Sequence, residues 1–393
     1  MCVFCYICLD MKTLYLFNPE NDMALASGSP YYMPPASAKK MSADLAVLPA
    51  WYAEAEDEVL LPDERSVEWI RNGCGWALSV VGVTRIEREY ERISPWGWSP
   101  ALIHRLMDLG VTGGKVFMED RMEAMRRLSS RYTAVSLLPK LQGQFTLGEA
   151  VWLASIDEVC LFSMQYEKVL LKAPWSGSGK GIQPLVGLPD TNLGGWIRRV
   201  IVTQGGVVGE PFYHKVKDFA MEFLASDKGI AFLGYSLFEA DARGIYKENL
   251  LASNECIESL LSDYVPLSVL HGVREALLKE LPFILEDNYE GCLGVDMMIV
   301  YAEDGYAIHP CVEVNLRMNM GVVSRVFFDR YMSAGVTGRY VIEYYPQLGE
   351  ALKVHKAMCE SYPLVVKNGR IHKGYLSLTP VFEDTNYQIY VIV

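Results

Sequence analysis

A short apolar run that ends in a lysine and leads into a loop of small residues constrains this chain most. Residues 169–171 predict a buried strand, Lys172 ends it, and glycine and serine dominate residues 176–181. Glycine lets backbone N–H groups approach an anion closely because it has no Cβ, and successive N–H groups in such a loop form a concave anion site. The stretch predicts a site for nucleotide phosphates; the alternative is a flexible surface turn with an incidental lysine.

Two familiar phosphate loops do not fit this stretch. A P-loop requires a serine or threonine after its lysine, whereas Gly181 follows Lys180. The dinucleotide fingerprint GxGxxG also fails, because the glycines fall at positions 177, 179 and 181. Since Lys172 precedes the loop on a predicted strand, the chemistry differs from both.

An aspartate–glycine pair at residues 304–305 is a strong signal for a two-residue hairpin turn. If the turn is centred there, Glu303 pairs with Tyr306. Counting back along both strands then places Asp296 directly opposite Glu313. The hairpin therefore predicts two carboxylates at one position of a sheet.

The residues that follow Glu313 extend this pattern. Strand alternation places Glu313, Asn315 and Arg317 on one face. Two carboxylates and an amide oxygen on that face form a hard-oxygen site suited to Mg²⁺ held between protein and phosphates. A bulge at Pro310 would shift the register that brings in Asp296, and a solvated sheet face is the alternative.

Together these features resemble the ATP-grasp superfamily, and the resemblance covers residues 121–325. Lys172 and the loop after it match the strand lysine and the glycine-rich loop that cover the ATP phosphates. Arg317 matches the arginine of the Glu-x-Asn-x-Arg ending, as in biotin carboxylase. The loop residues that the resemblance assigns to ATP are Ser176, Gly177, Ser178 and Gly179, and the residues that it assigns to the metal are Asp296, Glu313 and Asn315.

The resemblance also implies further contacts to the nucleotide. Arg131 takes the place of a basic residue, usually lysine, at the start of a helix that contacts phosphate. Residues 205–213 are similar to the hinge strand that meets adenine, which adds Glu210, Phe212 and Tyr213, and Asp218 takes the place of the acid that holds the ribose hydroxyls. The alternatives are a surface arginine and an exposed hairpin end.

The implied function is that of an ATP- and Mg²⁺-dependent ligase, with Mn²⁺ as an alternative metal. It would join a carboxylate to an amine, and less often to a thiol, through an acyl phosphate with release of ADP and phosphate. Lys172 and Arg317 would be catalytic, and the partners would be small-molecule or peptide carboxylates and amines. A kinase that stops at phosphoryl transfer and a non-catalytic nucleotide-binding module are the alternatives.

The predicted fold is α/β and multi-domain, since 393 residues exceed one ordinary domain. We expect a disordered extension at 1–10, with Met1 or Met11 as the true start. An N-terminal α/β preceding domain would span 11–120. The ATP-grasp body would span 121–345 with a lid-like subdomain at about 135–225, and C-terminal strands at 346–393 would complete or extend it.

Two details concern the N-terminal domain. Residues 45–48 predict a strand. The polar turn after the first strand predicts Asn21 or Asp22 as a helix cap, and the alternative is that this turn faces the second substrate. Trp96 and Trp98 are expected to pack between domains rather than to bind a ligand.

Composition excludes several classes of function. A formal net charge of −12 makes non-specific nucleic-acid binding unfavourable. No apolar run reaches the roughly 18 residues that a membrane helix needs. Nine scattered cysteines are typical of reduced thiols, so we expect a cytoplasmic protein that binds neither nucleic acid nor membrane. The oligomeric state is not predicted.

Overall fold

The computed structural model describes residues 12–72, 76, 78–87, 89–111, 119–176, 181–240 and 246–393. The predicted extension at 1–10 lies outside these residues, as do Gly177, Ser178 and Gly179 of the predicted phosphate loop. Ser176 and Gly181, which flank that loop, are described.

The first part of the chain forms a four-stranded parallel sheet with the strand order β3-β2-β1-β4. Its strands are β1 (Thr13–Leu16), β2 (Glu58–Leu60), β3 (Val81–Val83) and β4 (Arg92–Pro95), and its helices are α1 (Asn21–Ser27), α2 (Ala36–Asp44), α3 (Glu64–Asn72) and α4 (Pro100–Asp108). The strand predicted at 45–48 is wrong. These buried residues lead into a 3-10 helix at Leu48–Trp51, because a short apolar run suits a buried turn as well as a strand.

A second, antiparallel sheet, here called the small sheet, has the order β5-β8-β6-β7. Helices α5 (Glu119–Leu128) and α6 (Tyr132–Leu137) precede it in the chain. Its elements are β5 (Val151–Leu153), α7 (Ile156–Ser163), β6 (Val169–Lys172), β7 (Ile182–Leu185), α8 (Thr191–Gln204) and β8 (Val207–Pro211). The lysine and the start of the predicted phosphate loop therefore lie at the end of its central strand β6.

The remaining residues form an eight-stranded antiparallel sheet, here called the large sheet, with the order β13-β12-β9-β10-β11-β14-β18-β17. Its strands are β9 (Lys215–Ser226), β10 (Gly229–Ala240), β11 (Tyr246–Leu251), β12 (Gly291–Ala302), β13 (Gly305–Asn315), β14 (Gly338–Tyr344), β17 (Tyr375–Ser377) and β18 (Tyr387–Ile392). Helices α9 (Asn254–Leu261), α10 (Leu267–Leu285), α11 (Met320–Tyr331) and α12 (Glu350–Ser361) accompany it, with a hairpin of β15 (Val365–Lys367) and β16 (Arg370–Lys373). Strand β9 joins this sheet although the predicted lid, about 135–225, included most of it.

The two faces of the large sheet differ in chemistry. Phe219, Met221 and Val295 point to one face and belong to the main hydrophobic core, which also contains the buried residues of α10. Asp218 and Asp296 point to the other face, because side chains alternate along a strand. A sheet with one apolar and one polar face places functional groups over a rigid core.

The N-terminal sheet packs against the large sheet through its tryptophan cluster. Trp96 is 5% exposed, and its carbonyl oxygen accepts a hydrogen bond of 2.8 Å from the backbone N–H of Met318. Its ring packs edge-on against Phe17 at a centroid distance of 4.9 Å. The backbone contact joins the N-terminal sheet to the segment that follows β13. None of the helices in the described part of the chain combines the length and apolar character needed to cross a membrane.

Candidate active site

The hairpin of β12 and β13 places Asp296 directly opposite Glu313, but not through the predicted turn. The predicted pairing of Glu303 with Tyr306 is wrong: Tyr306 pairs with Tyr301, so Glu303 lies within the turn. A bulge then restores the predicted pairing of Asp296 with Glu313, because one residue after Asp296 faces three residues, 310–312, on the other strand. Such bulges bend a strand and re-aim its side chains.

The three predicted metal ligands lie together on the polar face of the large sheet. Asn315 Nδ2 donates a hydrogen bond of 3.1 Å to Asp296 Oδ2. Burial and, second to it, the neighbouring carboxylate of Glu313 raise the pKa of Asp296 to about 7. Among the described residues, Asp296 Oδ1 and Glu313 Oε1 accept no hydrogen bond, so each carboxylate has an oxygen free to bind a cation.

Arg131 connects this face to the predicted phosphate loop. Its guanidinium is 4% exposed and donates to the carbonyl of Ala173 at 2.7 Å and to Ser176 Oγ at 2.6 Å. Its Nη2 donates to Glu313 Oε2 at 2.9 Å. The buried arginine thus spans from the end of β6 to the acid strand β13. It is not the surface residue of the alternative reading.

Lys172 forms a buried ion pair with Glu210. Because Leu170 pairs with Glu210 across β6 and β8, the two charged side chains share a face of the small sheet. Lys172 Nζ lies 2.5 Å from Glu210 Oε2, and the two residues are 4% and 2% exposed. The acid that the resemblance assigns to the adenine hinge therefore neutralises the lysine assigned to the phosphates.

The other predicted nucleotide residues lie along the connection from the small sheet to the large sheet. Phe212 is exposed, with Lys168 Nζ 3.7 Å from its ring centroid. The hydroxyl of Tyr213 accepts a hydrogen bond of 2.9 Å from the backbone N–H of Glu149. Asp218 lies two residues from the strand position that pairs with Asp296, on the same face, and forms an ion pair with a lysine three residues earlier. Within the described part of the chain, no hydrogen bond joins these three residues to the acid pair.

Arg317 lies at the end of β13 and reaches the N-terminal domain. Its Nε and Nη2 donate to the two carboxylate oxygens of Asp22, each at 2.8 Å. Its Nη2 also donates to Asn315 Oδ1 at 3.0 Å. The predicted cap role of Asn21 or Asp22 is wrong, because Glu20 is the N-cap of α1 and makes no side-chain cap. No sequence signal connects two residues 295 positions apart.

Glu222 is a second acid that sequence reasoning missed. It lies on β9, on the face that carries Asp296, and is 1% exposed. Burial raises its pKa to about 8, and a hydrogen bond of 2.9 Å from Asn319 Nδ2 acts in the opposite direction. A Cβ at Gly294 or Gly321 would clash with its carboxylate, so both glycines make room for it. The sequence feature that could have identified Glu222 is an acid within the apolar run Met221-Glu222-Phe223.

No protein-family model matches the chain, and a search of curated proteins gives no significant match. Solved structures do match it. Biotin carboxylase from Campylobacter jejuni has 11% sequence identity and a TM-score of 0.52, with 97% of this chain and 87% of that chain covered. A pyruvate carboxylase variant from Rhizobium etli has 11% identity and a TM-score of 0.50, with 98% of this chain and 36% of that chain covered. N5-carboxyaminoimidazole synthetase from Staphylococcus aureus has 11% identity and a TM-score of 0.46, with 97% and 93% covered.

The likeness to biotin carboxylase establishes the class of fold. The α/β, multi-domain ATP-grasp fold predicted from the sequence is confirmed. At this level of identity the likeness shows the fold alone, so the activity has to be argued from the side chains of this chain.

Proposed function

We propose that the protein is an ATP- and Mg²⁺-dependent ligase that joins a carboxylate to an amine through an acyl phosphate and releases ADP and phosphate. One observation carries the proposal. Arg131 contacts Ser176 at the start of the glycine-rich loop and Glu313 of the acid pair, so the two halves of the predicted site meet at one buried guanidinium. The sequence separates Ser176 from Glu313 by 137 positions (313 − 176).

The oxygen atoms of Asp296, Glu313 and Asn315 fit Mg²⁺; the part of the polar sheet face that carries these residues is here called the acid face. Asp296 and Glu313 each present a carboxylate oxygen that no described residue occupies, and the Asn315 amide oxygen keeps a second lone pair beside its bond from Arg317. No cluster of three or more acidic, histidine or cysteine side chains able to hold a metal occurs among the described residues. Mg²⁺ is usually held by one or two carboxylates together with phosphate oxygens, and Asp296 and Glu313 would supply the two carboxylates. When bound, the ion would neutralise charge on the transferred phosphoryl group.

Lys172, Arg131 and Arg317 are the cations proposed to stabilise phosphate and substrate. Lys172 and Arg131 are buried and hydrogen-bonded, so their charges are held in place beside the loop before any anion arrives. Such fixed charges stabilise charge that develops during reaction without reorganising. Arg317 presents a planar fork that suits a carboxylate or an acyl phosphate, and it already binds the carboxylate of Asp22.

The substrates are proposed to be a small-molecule or peptide carboxylate and an amine. The matched biotin carboxylase was solved in a complex with β,γ-ATP, which supports ATP as the nucleotide here. No side-chain nucleophile is required, because the acyl phosphate takes the amine directly.

A screen of carboxylate and amine pairs for ADP release tests the proposal. We expect ADP release that requires Mg²⁺ and both substrates, with an amide product. A phosphorylated product that is stable without an amine would indicate a kinase instead. If calorimetry with Mg²⁺ present detects no ATP binding, the proposal is wrong.

A further inference from the structure

A larger cavity lies beside the acid face, between the N-terminal sheet and the large sheet. Its volume is about 550 Å³. It is bounded by β4, by the start of β12 and by α11, and it shares Leu316 and Arg317 with the small cavity, of about 20 Å³, that contains Glu313 and Asn315. Leu316 and Arg317 therefore border both the proposed reaction centre and this second space.

Two cations and two anions that line this cavity have no charged partner in the part of the chain that the structure describes. Among the described residues, neither Arg92 nor Arg121 makes a side-chain hydrogen bond or ion pair, and the same holds for Glu91 and Glu290. The other cavity arginines are already matched: Arg330 pairs with a glutamate at 2.5 Å, and Arg317 pairs with Asp22. The unmatched charges sum to zero (2 − 2).

Arg92 lines this space and affects the pKa values of three residues around it. Burial raises the pKa of Tyr289 well above its ordinary value, and Arg92 acts against that rise. Arg92 likewise acts to lower the pKa of Cys292 and of Tyr15, while burial raises each of these pKa values to about 12. Tyr15 lies on β1, the strand that pairs with β4, whereas Cys292 lies on β12 and Tyr289 just before it, so Arg92 acts on groups from both sheets.

The walls supply apolar surface beside the charges. Aromatic rings of Tyr52, Trp96 and Tyr289 and the side chains of Leu224 and Val322 line the space. Ligand sites for metabolite-sized molecules have volumes of roughly 300–1,000 Å³, with mostly apolar walls and a few polar groups that fix orientation. The cavity is therefore far larger than bicarbonate or phosphate requires.

We infer that this cavity binds one of the two substrates of the ligase proposed above, and that this substrate is an apolar amino acid or a short peptide. Arg92 and Arg121 would bind its carboxylate, since guanidinium groups pair with carboxylates through charge-assisted hydrogen bonds. Glu91 and Glu290 favour a ligand that also carries an ammonium group, and they oppose a phosphate dianion. The inference rests on the proposed function only for calling the ligand a substrate.

Calorimetry without nucleotide tests the site independently of turnover. The probes are L-leucine, L-phenylalanine and glycyl-L-phenylalanine, together with the C-terminal amide of each, sodium bicarbonate and inorganic phosphate. We expect at least one free acid to bind with a Kd below about 1 mM, which is the upper end of common substrate affinities. Its amide should bind at least about tenfold more weakly, because the amide cannot form the charged pair.

Arg92→Gln and Arg199→Gln form the variant pair. Arg92 is exposed to solvent, so the substitution should not disturb folding, and thermal melting checks this. Arg199 is an exposed arginine on α8 of the small sheet, outside the cavity. Arg92→Gln should raise the Kd of the free acid about tenfold, and Arg199→Gln should leave it unchanged.

Several results would overturn the inference: no binding by any free acid, equal binding of acid and amide, equal behaviour of the two variants, or binding of bicarbonate or phosphate alone that depends on Arg92. Failure of the ligase proposal is distinguishable. A peptide that binds through Arg92 while ATP is never hydrolysed would refute the ligase and leave the peptide site in place.

Discussion

Replacing Glu313 with glutamine removes one charge from the proposed metal site and nearly preserves its shape. The side chain is 26% exposed, and its carboxylate accepts a charge-assisted hydrogen bond from the buried Arg131. A hydrogen bond to a charged group contributes about 1.5–3 kcal/mol and a neutral one about 0.5–1.5 kcal/mol. The substitution should therefore cost about 1 kcal/mol in this contact.

Asp296 offsets part of that loss. The carboxylate of Glu313 is the second cause, after burial, of the raised pKa of Asp296. Removing it relieves repulsion between the two acids, so we expect the free energy of unfolding to change by less than about 1 kcal/mol. Turnover should fall far more, by about 100- to 1,000-fold, which is the usual effect of deleting one fixed group that stabilises transition-state charge.

The assay is ATP binding by calorimetry with Mg²⁺ and with EDTA, since it needs no knowledge of the substrates. The wild-type protein should bind ATP more tightly with Mg²⁺, and Glu313→Gln should lose most of this gain while binding in EDTA changes little. Glu303→Gln is the matched control, because Glu303 lies exposed in the turn at the far end of the same hairpin. If Glu313→Gln keeps the full Mg²⁺ dependence, the metal assignment is wrong.

Three further predictions follow from buried charges. Lys172→Met should weaken ATP binding and destabilise the fold by about 3–5 kcal/mol, because it leaves Glu210 buried without a partner. In chemical denaturation, the double variant Lys172→Met/Glu210→Gln should regain stability while its ATP binding stays weak. A double variant as unstable as Lys172→Met would contradict this. Glu222 has a folded-state pKa of about 8 against an ordinary value of 4.5, so the unfolded chain loses its proton first and stability should fall as pH rises from about 4.5 to 8. Glu222→Gln should flatten this dependence of the unfolding free energy on pH, measured by denaturation across that range. An unchanged dependence would show that another group titrates. Asp22→Asn should lower stability by about 1–2 kcal/mol through the weakened pair with Arg317. It should also reduce ADP release once substrates are known. Unchanged thermal melting would show that the pair does not contribute to stability.

The sequence was most informative where a pattern is local. Strand alternation and one turn signal predicted Asp296 opposite Glu313, and this pairing is present in the hairpin. The turn itself was predicted wrongly, and the pairing survived because the bulge at 310–312 shifts the register back. Pro310 marked the place of that bulge in advance, since proline cannot continue a regular ladder.

The contacts that sequence could not predict join distant segments. The pair of Asp22 with Arg317 depends on how the N-terminal sheet docks on the large sheet, which no spacing encodes. The partner of Lys172 was missed for a related reason: the pairing of β6 with β8 was not predicted, and it brings Glu210 onto the face of the lysine. The strand at 45–48 failed because periodicity does not separate buried strands from buried turns.

The charges around the proposed phosphate site explain why a metal would be needed there. Each of its three cations is held by a carboxylate from another element, and a fourth carboxylate lies beside them. The pairs are Lys172 with Glu210, Arg131 with Glu313 and Arg317 with Asp22, and the fourth acid is Asp296. The protein groups alone therefore supply no net positive charge (3 − 4) with all of them ionised. A triphosphate would be poorly bound at such a site unless a cation came with it, and a divalent ion on the acid face would reverse the sign of the local charge. The same pairing keeps the cations fixed and buried in a chain of net charge −12, so that they are in position when the nucleotide and its metal bind.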